Sequence, residues 1–253
     1  MDKRTIIVGD VHGCLDEFRA LVERVGYRQG VDRLIVAGDL VDRGPDSAGV
    51  VRYAMEIGAE AVQGNHDAKL LRRRKHMLKA GINPNYRNPM YPDPDQENTI
   101  NQLTDIEIAW LEGLPYCIEL PEFNTVVVHA GFVPGVPLDK QTKEIMTMVR
   151  FVNSETHHMM SLEMPGFRQP AGSIFWADIW DGKQDVIFGH TVVGRDWIRA
   201  WDGVNNTRCY GIDTGCVFGG YLSAMVLDPS VPNGREVVQV KAEREYSHYG
   251  AGE

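Results

Sequence analysis

Six residues of types that bind divalent metals are spread over five short polar motifs of the chain. They are Asp10, His12, Asp39, Asn65, His129 and His190. Carboxylate and amide oxygens combined with imidazole nitrogens form a ligand set for hard to borderline divalent cations. One such residue at a strand end is usually a hydrogen-bonded structural residue, but several that converge in a buried place need a metal or a counter-charge. The set therefore predicts a metal site.

The elements that must position these residues are short apolar runs, because each of the five motifs follows one. The runs span residues 5–8, 34–37, 59–62, 126–128 and 186–188. Apolar runs of this length, bounded by glycine and polar residues, are typical of buried parallel strands. Open α/β sheets bind their ligands at the carboxyl ends of the strands. We therefore expect the five motifs to meet in one cleft.

The first third of the chain repeats the order strand, polar loop, helix three times. Residues 14–25 have apolar side chains at helical spacing, and residues 45–57 and 66–80 are predicted to form the next two helices. This order predicts an α/β fold with right-handed crossovers. Beyond residue 115 short strands alternate with turns. We expect a single domain over 1–253 with two sheets that contribute loops to one cleft.

Two segments interrupt the pattern. Residues 81–97 contain four prolines and no periodicity, which predicts a surface insertion. Residues 151–173 are polar, rich in methionine and expected to be irregular. We assign substrate selection to these segments and to the chain's tail. The basic run 72–75 lies in the third helix and is interpreted as a solvated face.

Composition and charge restrict the classes of partner. The chain has 253 residues and a net charge of −9, which argues against strong non-specific binding to nucleic acid or to anionic membranes. Four cysteines without a Cys-x-x-Cys pair indicate reduced thiols. No apolar run approaches the roughly 18 residues of a membrane helix. We therefore expect a cytoplasmic protein that has no membrane partner.

The ordered motifs resemble those of the calcineurin-like metallophosphoesterases. They are Gly-Asp-Val-His-Gly (9–13), Gly-Asp-Leu-Val-Asp-Arg-Gly (38–44), Gly-Asn-His-Asp (64–67), His-Ala-Gly (129–131) and Gly-His-Thr (189–191). Within that family they resemble the branch of the phosphoprotein phosphatases and symmetrical diadenosine tetraphosphatases. Segments 176–178 and 212–220 look most like the phosphatase module of bacterial polynucleotide kinase-phosphatases. The resemblance implies a four-layer αββα sandwich with two mixed β-sheets and a dinuclear metal site at the strand ends.

The resemblance also implies a role for each metal-type residue. Asp39 would bridge two divalent ions, for which Mn²⁺ is the first expectation and Fe or Zn²⁺ are alternatives. A hydroxide bridging the ions would attack phosphorus in line. The first ion would be held by Asp10 and His12, and the second by Asn65, His129 and His190.

Four further residues would complete the catalytic machinery. His66 would be the general acid that protonates the leaving oxygen, and Asp42 would orient its imidazole. Arg43 and Arg150, together with Asn65, would bind the substrate phosphate. The alternative for Asp42 is an Asx-turn residue, and the alternative for Arg150 is a solvated arginine at a helix C-terminus.

The sequence thus predicts a metal-dependent phosphoric ester hydrolase, a serine/threonine-phosphatase-like enzyme of broad specificity. Its substrate could be a phosphoprotein, a dinucleoside polyphosphate or a nucleotide end. The first alternative is a symmetrical dinucleoside tetraphosphate hydrolase. The second is a binding module for phosphorylated ligands, which would not need a general acid such as His66.

Overall fold

The computed structural model describes residues 3–162, 168–231 and 234–248, and within them three sheets. In spatial order, the first sheet contains β13 (Arg235–Lys241), β12 (Tyr221–Leu227), β1 (Thr5–Val8), β2 (Arg33–Val36) and β3 (Glu60–Ala61). The second contains β10 (Arg199–Asp202), β11 (Arg208–Gly211), β9 (Asp185–Phe188), β5 (Thr125–Val128) and β4 (Cys117–Leu120). The small third sheet contains β7 (Met159–Met160), β6 (Phe151–Asn153) and β8 (Ser173–Phe175).

Both five-stranded sheets are mixed, and each has three parallel strands. In the first sheet β1, β2 and β3 are parallel, whereas β12 and β13 pair in the antiparallel sense. In the second sheet β5, β9 and β11 are parallel, with β4 and β10 antiparallel at the edges. The carboxyl ends of parallel neighbours lie at one sheet edge, so the polar motifs that follow β1, β2, β5 and β9 are brought together.

Six helices lie among the described residues. They are α1 (Leu15–Arg24), α2 (Ser47–Glu56), α3 (Asn65–Ile82), α4 (Pro94–Gln102), α5 (Asp105–Glu112) and α6 (Lys143–Met148). The Asp46 side chain caps α2, and Thr104 with Glu107 forms the capping box of α5 that its sequence predicts. None of the helices in the described ranges is both long and apolar enough to span a bilayer.

The core has three apolar layers, which produce the predicted four-layer arrangement. Helix α1 buries Phe18 and Leu21 against the outer face of the first sheet, and each such side chain contributes about 1.5–3 kcal/mol when fully buried. Ile7 and Ile35 of the first sheet share a cluster with Val127 of the second, so the sheets pack face to face. The αββα fold class and its two mixed sheets are confirmed.

The outer face of the second sheet is covered by aromatic side chains rather than by long helices. Trp176 and Trp180 are fully buried there and lie 5.9 Å apart between ring centroids. They belong to an apolar cluster with Phe132 and Phe188. Helix α6 and the third sheet extend this layer.

The interpretation of 151–173 as irregular is wrong for part of the segment. It contains β6 and β7, and β8 begins at Ser173. Residues 163–167 lie outside the described part of the chain. Strands of two or three residues are too short to show a period of two, so only their pairing reveals them. Strand β10 has no clear sequence signal for a related reason, because it is a short edge strand that is mostly exposed.

The predicted insertion 81–97 is narrower in the structure. Helix α3 continues to Ile82, and α4 begins inside the segment at Pro94. Asp93 caps α4 by accepting a hydrogen bond from the Gln96 backbone N–H, and a proline in the first turn is favourable. The run of prolines and aspartates that suggested a loop is therefore partly a helix start.

Candidate active site

The six metal-type residues occupy the predicted strand ends, and five of them are buried. Asp10 and His12 follow β1, Asp39 follows β2, and Asn65 is the first residue of α3. His129 directly follows β5 and His190 follows β9. Only Asn65 is half-buried rather than buried. Loops from both sheets thus contribute to one cleft.

Asp39 is the geometric centre of the cluster. Its Oδ2 lies 3.5 Å from Nε2 of His12 and 3.4 Å from Nε2 of His129. The ligand atoms of Asp39, His12 and His66 lie within 4.8 Å of one another, and so do those of Asp39, His129 and His190. Asp39 is the member common to both groups, which is the position that a bridging ligand requires.

Each histidine of the predicted ligand set is oriented by a backbone carbonyl. Nδ1 of His12 and Nδ1 of His129 each lie 2.9 Å from a carbonyl oxygen, and Nε2 of His190 lies 3.3 Å from another. In the neutral form the nitrogen facing the carbonyl donates, and the other nitrogen presents its lone pair to the site. Asn65 Oδ1 lies 3.0 Å from Nε2 of His129. Atoms that carry lone pairs, from the three histidines and from Asn65, therefore converge at the centre of the cluster.

The electrostatics of the cluster favour a positive charge at its centre. Burial lowers the pKa of His12 to about 3, and burial together with Arg150 holds the pKa of His190 well below its usual value. Burial also opposes charge on His129, yet Asp39 outweighs it and raises that pKa to about 9. His12 and His190 are therefore neutral, as metal ligands must be, and the positive charge that Asp39 draws onto His129 is one that a metal ion would replace. The donor set therefore fits divalent cations.

A second carboxylate, which the sequence reasoning did not select, lies beside Asp10. Both Asp10 carboxylate oxygens accept the His190 backbone N–H, at 3.1 and 3.0 Å. Burial and the charge of Asp213 raise the pKa of Asp10 well above its usual range, and burial raises the pKa of Asp213 to about 6. Asp213 comes just after β11, so the strand-end rule used for the other ligands would have found it.

Backbone strain is concentrated in the cleft. Among the described residues, eight other than glycine have a positive φ, and five of these are predicted site residues. They are His12, Asp39, Asp42, Arg43 and His190, with φ between 46° and 74°. Such conformations cost about 1–3 kcal/mol each and persist where the surroundings impose them. The packed sheets hold these side chains in place at that cost.

Two glycines allow the loops to approach the carboxylates closely. A Cβ on Gly64 would lie 2.1 Å from Asp39 Oδ1, and a Cβ on Gly189 would lie 1.9 Å from Asp10 Oδ1. Neither distance is possible for a real side chain. The glycines that border these motifs are therefore required by packing.

His66 and Asp42 form the predicted pair. Nδ1 of His66 lies 2.7 Å from Asp42 Oδ2, and the His66 backbone N–H donates to Asp39 Oδ1 at 2.9 Å. The Asp42 carboxylate also accepts a hydrogen bond from Gln96 Nε2 at 2.6 Å. Those two bonds engage the carboxylate with side chains, which favours the pair over the Asx-turn alternative. Gln96 escaped the sequence reasoning because it lies in the aperiodic segment.

Asp67 joins the two loops that contain Asp39 and His66. Its carboxylate accepts the backbone N–H of Leu40 and that of Gly64, each at 3.0 Å, and its side chain is fully buried. Burial and the nearby charge of Asp39 raise the pKa of Asp67 to about 7. An acidic residue in the first turn of α3 was visible in the sequence as a helix-start signal.

Both predicted phosphate-binding arginines border the cluster. Nη1 of Arg43 lies 3.1 Å from Nε2 of His12, and its guanidinium lies 5.3 Å from the Phe218 ring centroid. Nη2 of Arg150 donates to the His190 carbonyl oxygen at 3.3 Å. Arg150 comes two residues after the end of α6 and is half-buried, so it faces the cleft.

A cavity of about 660 Å³ opens directly from this cluster. Asn65, His66 and His190 form its inner wall. Four basic side chains also line it, and they are Lys69, Arg72, Lys143 and Arg150. The remaining wall includes one acidic residue, Glu144, together with Tyr116 and Leu71. The cavity is thus locally cationic in a chain of net charge −9.

Comparison with known proteins gives a consistent result. The family profile described as Calcineurin-like phosphoesterase matches residues 3–222. The asymmetrical bis(5′-nucleosyl)-tetraphosphatase PrpE of Bacillus velezensis is 33% identical, with 86% of each chain covered. The symmetrical bis(5′-nucleosyl)-tetraphosphatase of Psychromonas ingrahamii is 29% identical, with 87% of this chain and 92% of the relative covered. A solved structure provisionally described as a diadenosine tetraphosphatase has a TM-score of 0.74 at 33% identity, covering 96% of this chain and 95% of the other.

Proposed function

Because the chain belongs to the calcineurin-like phosphoesterase family, we propose that it hydrolyses dinucleoside polyphosphates, with diadenosine tetraphosphate as the test substrate. The protein is a metal-dependent phosphoric ester hydrolase with a dinuclear divalent metal site, so the binding-module alternative is not retained. The proposal narrows the broad-specificity prediction to one substrate class. It is supported by the names of two relatives and by the charge of the cavity.

The basic lining of the cavity is the observation that carries this proposal. A phosphate held between Asn65 and Arg150 at the metal site would leave the rest of a polyphosphate chain beside Lys69, Arg72 and Lys143. A phosphoserine peptide has one phosphate and would leave Arg72 and Lys143 without a phosphate partner, whereas Lys69 lies 3.6 Å from Asp93 Oδ2. Basic side chains bind phosphate oxygens through charge-assisted hydrogen bonds. The cavity therefore favours substrates with several linked phosphates.

The chemistry follows from the proposed roles of the residues. Divalent cations, when bound, polarise the phosphate and make a water more acidic. Asp42 holds Nδ1 of His66, so the other ring nitrogen is directed to protonate the departing oxygen. Arg43 and Arg150 neutralise charge on the phosphate as it is transferred. The mixed oxygen and nitrogen donors favour Mn²⁺, with Fe and Zn²⁺ as alternatives. A cytoplasmic location stays a prediction.

The test is hydrolysis of diadenosine tetraphosphate by the Mn²⁺-loaded protein, with products separated by chromatography. We expect two molecules of ADP or a mixture of ATP and AMP, and the products identify the bond cleaved. The Asp39→Asn variant should have no activity, because a bridging ligand is lost. The matched exposed variant Asp139→Asn should retain it.

Two variants examine the cavity itself. Lys69→Ala and Arg72→Ala should raise KM for diadenosine tetraphosphate and leave KM for p-nitrophenyl phosphate unchanged, because the small ester does not reach them. If diadenosine tetraphosphate stays intact after prolonged incubation while p-nitrophenyl phosphate is hydrolysed, the proposed substrate class is refuted. Full activity of Asp39→Asn would refute the metal centre.

A further inference from the structure

Arg73 is buried, although the sequence placed it in a solvated basic run. Only 2% of the residue is exposed. Its Nε donates to Gln96 Oε1 at 2.6 Å, and its Nη1 donates to the Tyr91 carbonyl oxygen at 2.9 Å. Its guanidinium also lies 3.7 Å from Asp93 and 3.6 Å from Glu97. The prediction of a solvated face is wrong at this position because α4 and the preceding segment cover it.

Gln96 connects this arginine to the proposed general acid. Its Oε1 accepts from Arg73, and its Nε2 donates to Asp42 Oδ2 at 2.6 Å. The same Asp42 oxygen lies 2.7 Å from Nδ1 of His66. Guanidinium can only donate and carboxylate can only accept, so the orientation of the amide between them is determined. The result is a chain of three hydrogen bonds that joins Arg73 to His66, in which Asp42 Oδ2 accepts from both Gln96 and His66.

We propose that Arg73 and Gln96 are positioning residues for the proton transfer by His66. The inference rests on the proposed function, because it needs His66 to act as the general acid. Two donors on one Asp42 oxygen restrict rotation of that carboxylate, and a restricted carboxylate holds the imidazole in one orientation. Without Gln96 the carboxylate can turn its second oxygen toward His66, and the ring loses its alignment with the leaving oxygen.

The hydrogen bonds that join Arg73 to His66 are buried, which supports a role in orienting Asp42. Gln96 is 2% exposed, and Asp42 Oδ1 is buried without a hydrogen-bond partner among the residues that the structure describes. Hydrogen bonds in such surroundings are less screened than in water, so the bonds to Asp42 Oδ2 dominate its orientation. The segment before α4 contributes through the Tyr91 carbonyl, which binds the same guanidinium. The aperiodic segment is thereby coupled to the proton donor.

A positioning role and a purely structural role predict different kinetics. Protonation matters most when the leaving oxygen is a strong base, and it matters little for p-nitrophenolate. A residue that only stabilises the fold would slow all substrates alike. The ratio of kcat for phenyl phosphate to kcat for p-nitrophenyl phosphate therefore separates the two roles.

The experiment compares Gln96→Ala and Arg73→Met in the Mn²⁺-loaded full chain on both esters. We expect kcat for phenyl phosphate to fall by about ten-fold or more, which is typical for residues that orient a functional group, and kcat for p-nitrophenyl phosphate to change by less than about three-fold. The double variant should be no slower than the worse single variant, because both act through one chain. Gln102→Ala on the exposed end of α4 and Arg74→Met beside Asp105 are matched controls that should behave as wild type.

An equal loss on both esters in folded variants would overturn the inference, and so would unchanged kcat on both. If Gln96→Ala unfolds below the assay temperature, Gln96→Met replaces it, because methionine keeps the side-chain volume and removes both hydrogen bonds. The ratio of kcat for phenyl phosphate to kcat for p-nitrophenyl phosphate then decides in the same way. A wild-type protein that hydrolyses neither these esters nor diadenosine tetraphosphate would overturn the proposed function, and this inference with it. If wild type hydrolyses both esters and the Gln96 and Arg73 variants have the same kcat as wild type, the inference is overturned but the proposed function is not.

Discussion

Nη1 of Arg43 lies 3.1 Å from Nε2 of His12, the nitrogen predicted to bind a metal ion. A guanidinium can only donate, so it occupies the imidazole lone pair that the metal would need. The positive φ of both residues, 72° and 46°, brings their loops into this contact. The two predicted roles, phosphate binding by Arg43 and metal binding by His12, therefore compete in this arrangement.

Removal of this arginine should strengthen metal binding while it weakens catalysis. In Arg43→Met the His12 lone pair becomes available and a nearby positive charge disappears, so we expect tighter Mn²⁺ binding by titration calorimetry. Loss of hydrogen bonds to a charged phosphate, worth about 1.5–3 kcal/mol, should lower kcat/KM by about ten-fold or more. Arg74→Met is the control, because it removes one positive charge beside the exposed Asp105 and should leave Mn²⁺ binding unchanged. Weaker Mn²⁺ binding by Arg43→Met would contradict the competition.

Replacement of Gly189 by alanine should displace the Asp10 carboxylate and so reduce activity. The new Cβ would lie 1.9 Å from Asp10 Oδ1, so the carboxylate must move. Displacement of a ligand by about 1 Å can cost on the order of 100-fold in rate. We expect such a loss in kcat together with reduced Mn²⁺ content.

Gly81→Ala is the matched control for that substitution. Gly81 lies in α3, and a Cβ there meets nothing within 4 Å. Alanine should stabilise the helix by about 0.5–1 kcal/mol and leave the activity unchanged. Thermal denaturation of both variants, measured beside kcat, distinguishes a clash at the site from a general effect of alanine.

Loss of the Asp67 carboxylate should destabilise the fold as well as the site. Asp67→Ala would leave the buried N–H groups of Leu40 and Gly64 without their acceptor, at about 1–3 kcal/mol for each. We expect a lower free energy of unfolding in urea, measured on metal-free protein. Asp67→Asn keeps one acceptor oxygen, so its free energy of unfolding should lie between those of wild type and Asp67→Ala. Equal stability of Asp67→Ala and wild type would show that the loops do not depend on this residue.

Asp32, which is not one of the predicted metal ligands, should make stability depend on pH. Burial would raise its pKa, but hydrogen bonds from Arg28 and Arg4 outweigh burial and hold that pKa below its usual value. The unfolded chain then binds the proton more tightly, so the stabilisation is present above the unfolded pKa of about 3.9 and is lost as the pH falls through the lower folded pKa. The difference in unfolding free energy between wild type and Asp32→Asn should therefore shrink below about pH 4. Asp139→Asn, which is exposed, should show no such trend.

Local sequence patterns were sufficient to predict where the strands that carry the site residues end. Apolar runs before Asp10, Asp39 and His129 indicated where buried strands finish, and all three residues lie at one cleft. The rule works because a short apolar run bounded by glycine and polar residues favours a buried strand, and a polar residue after it leaves the sheet interior at the edge. The same rule would have found Asp213.

Long-range contacts could not be predicted in this way. Gln96 is 54 residues from Asp42, which it contacts, and nothing in its neighbourhood distinguishes it from exposed glutamines. Arg73 has two basic neighbours in a helix with no marked period, so only the covering segment identifies it as buried. Strands β6 and β7 depend on mutual pairing in the same way.

The amino-acid sequence by itself indicated the family, because the ordered motifs depend only on residue type and spacing, and the resemblance to that family implied the four-layer sandwich and the type of chemistry. Only the tertiary structure decided which ring nitrogen of each predicted ligand histidine faces a backbone carbonyl, the contact between Arg43 and His12, and the hydrogen bonds that join Arg73 to His66. Those features depend on the direction of a lone pair or a donor, which is set by groups brought together from distant parts of the chain. The charge of the cavity belongs to the same class, because Lys69 and Lys143 become neighbours only when the two sheets pack.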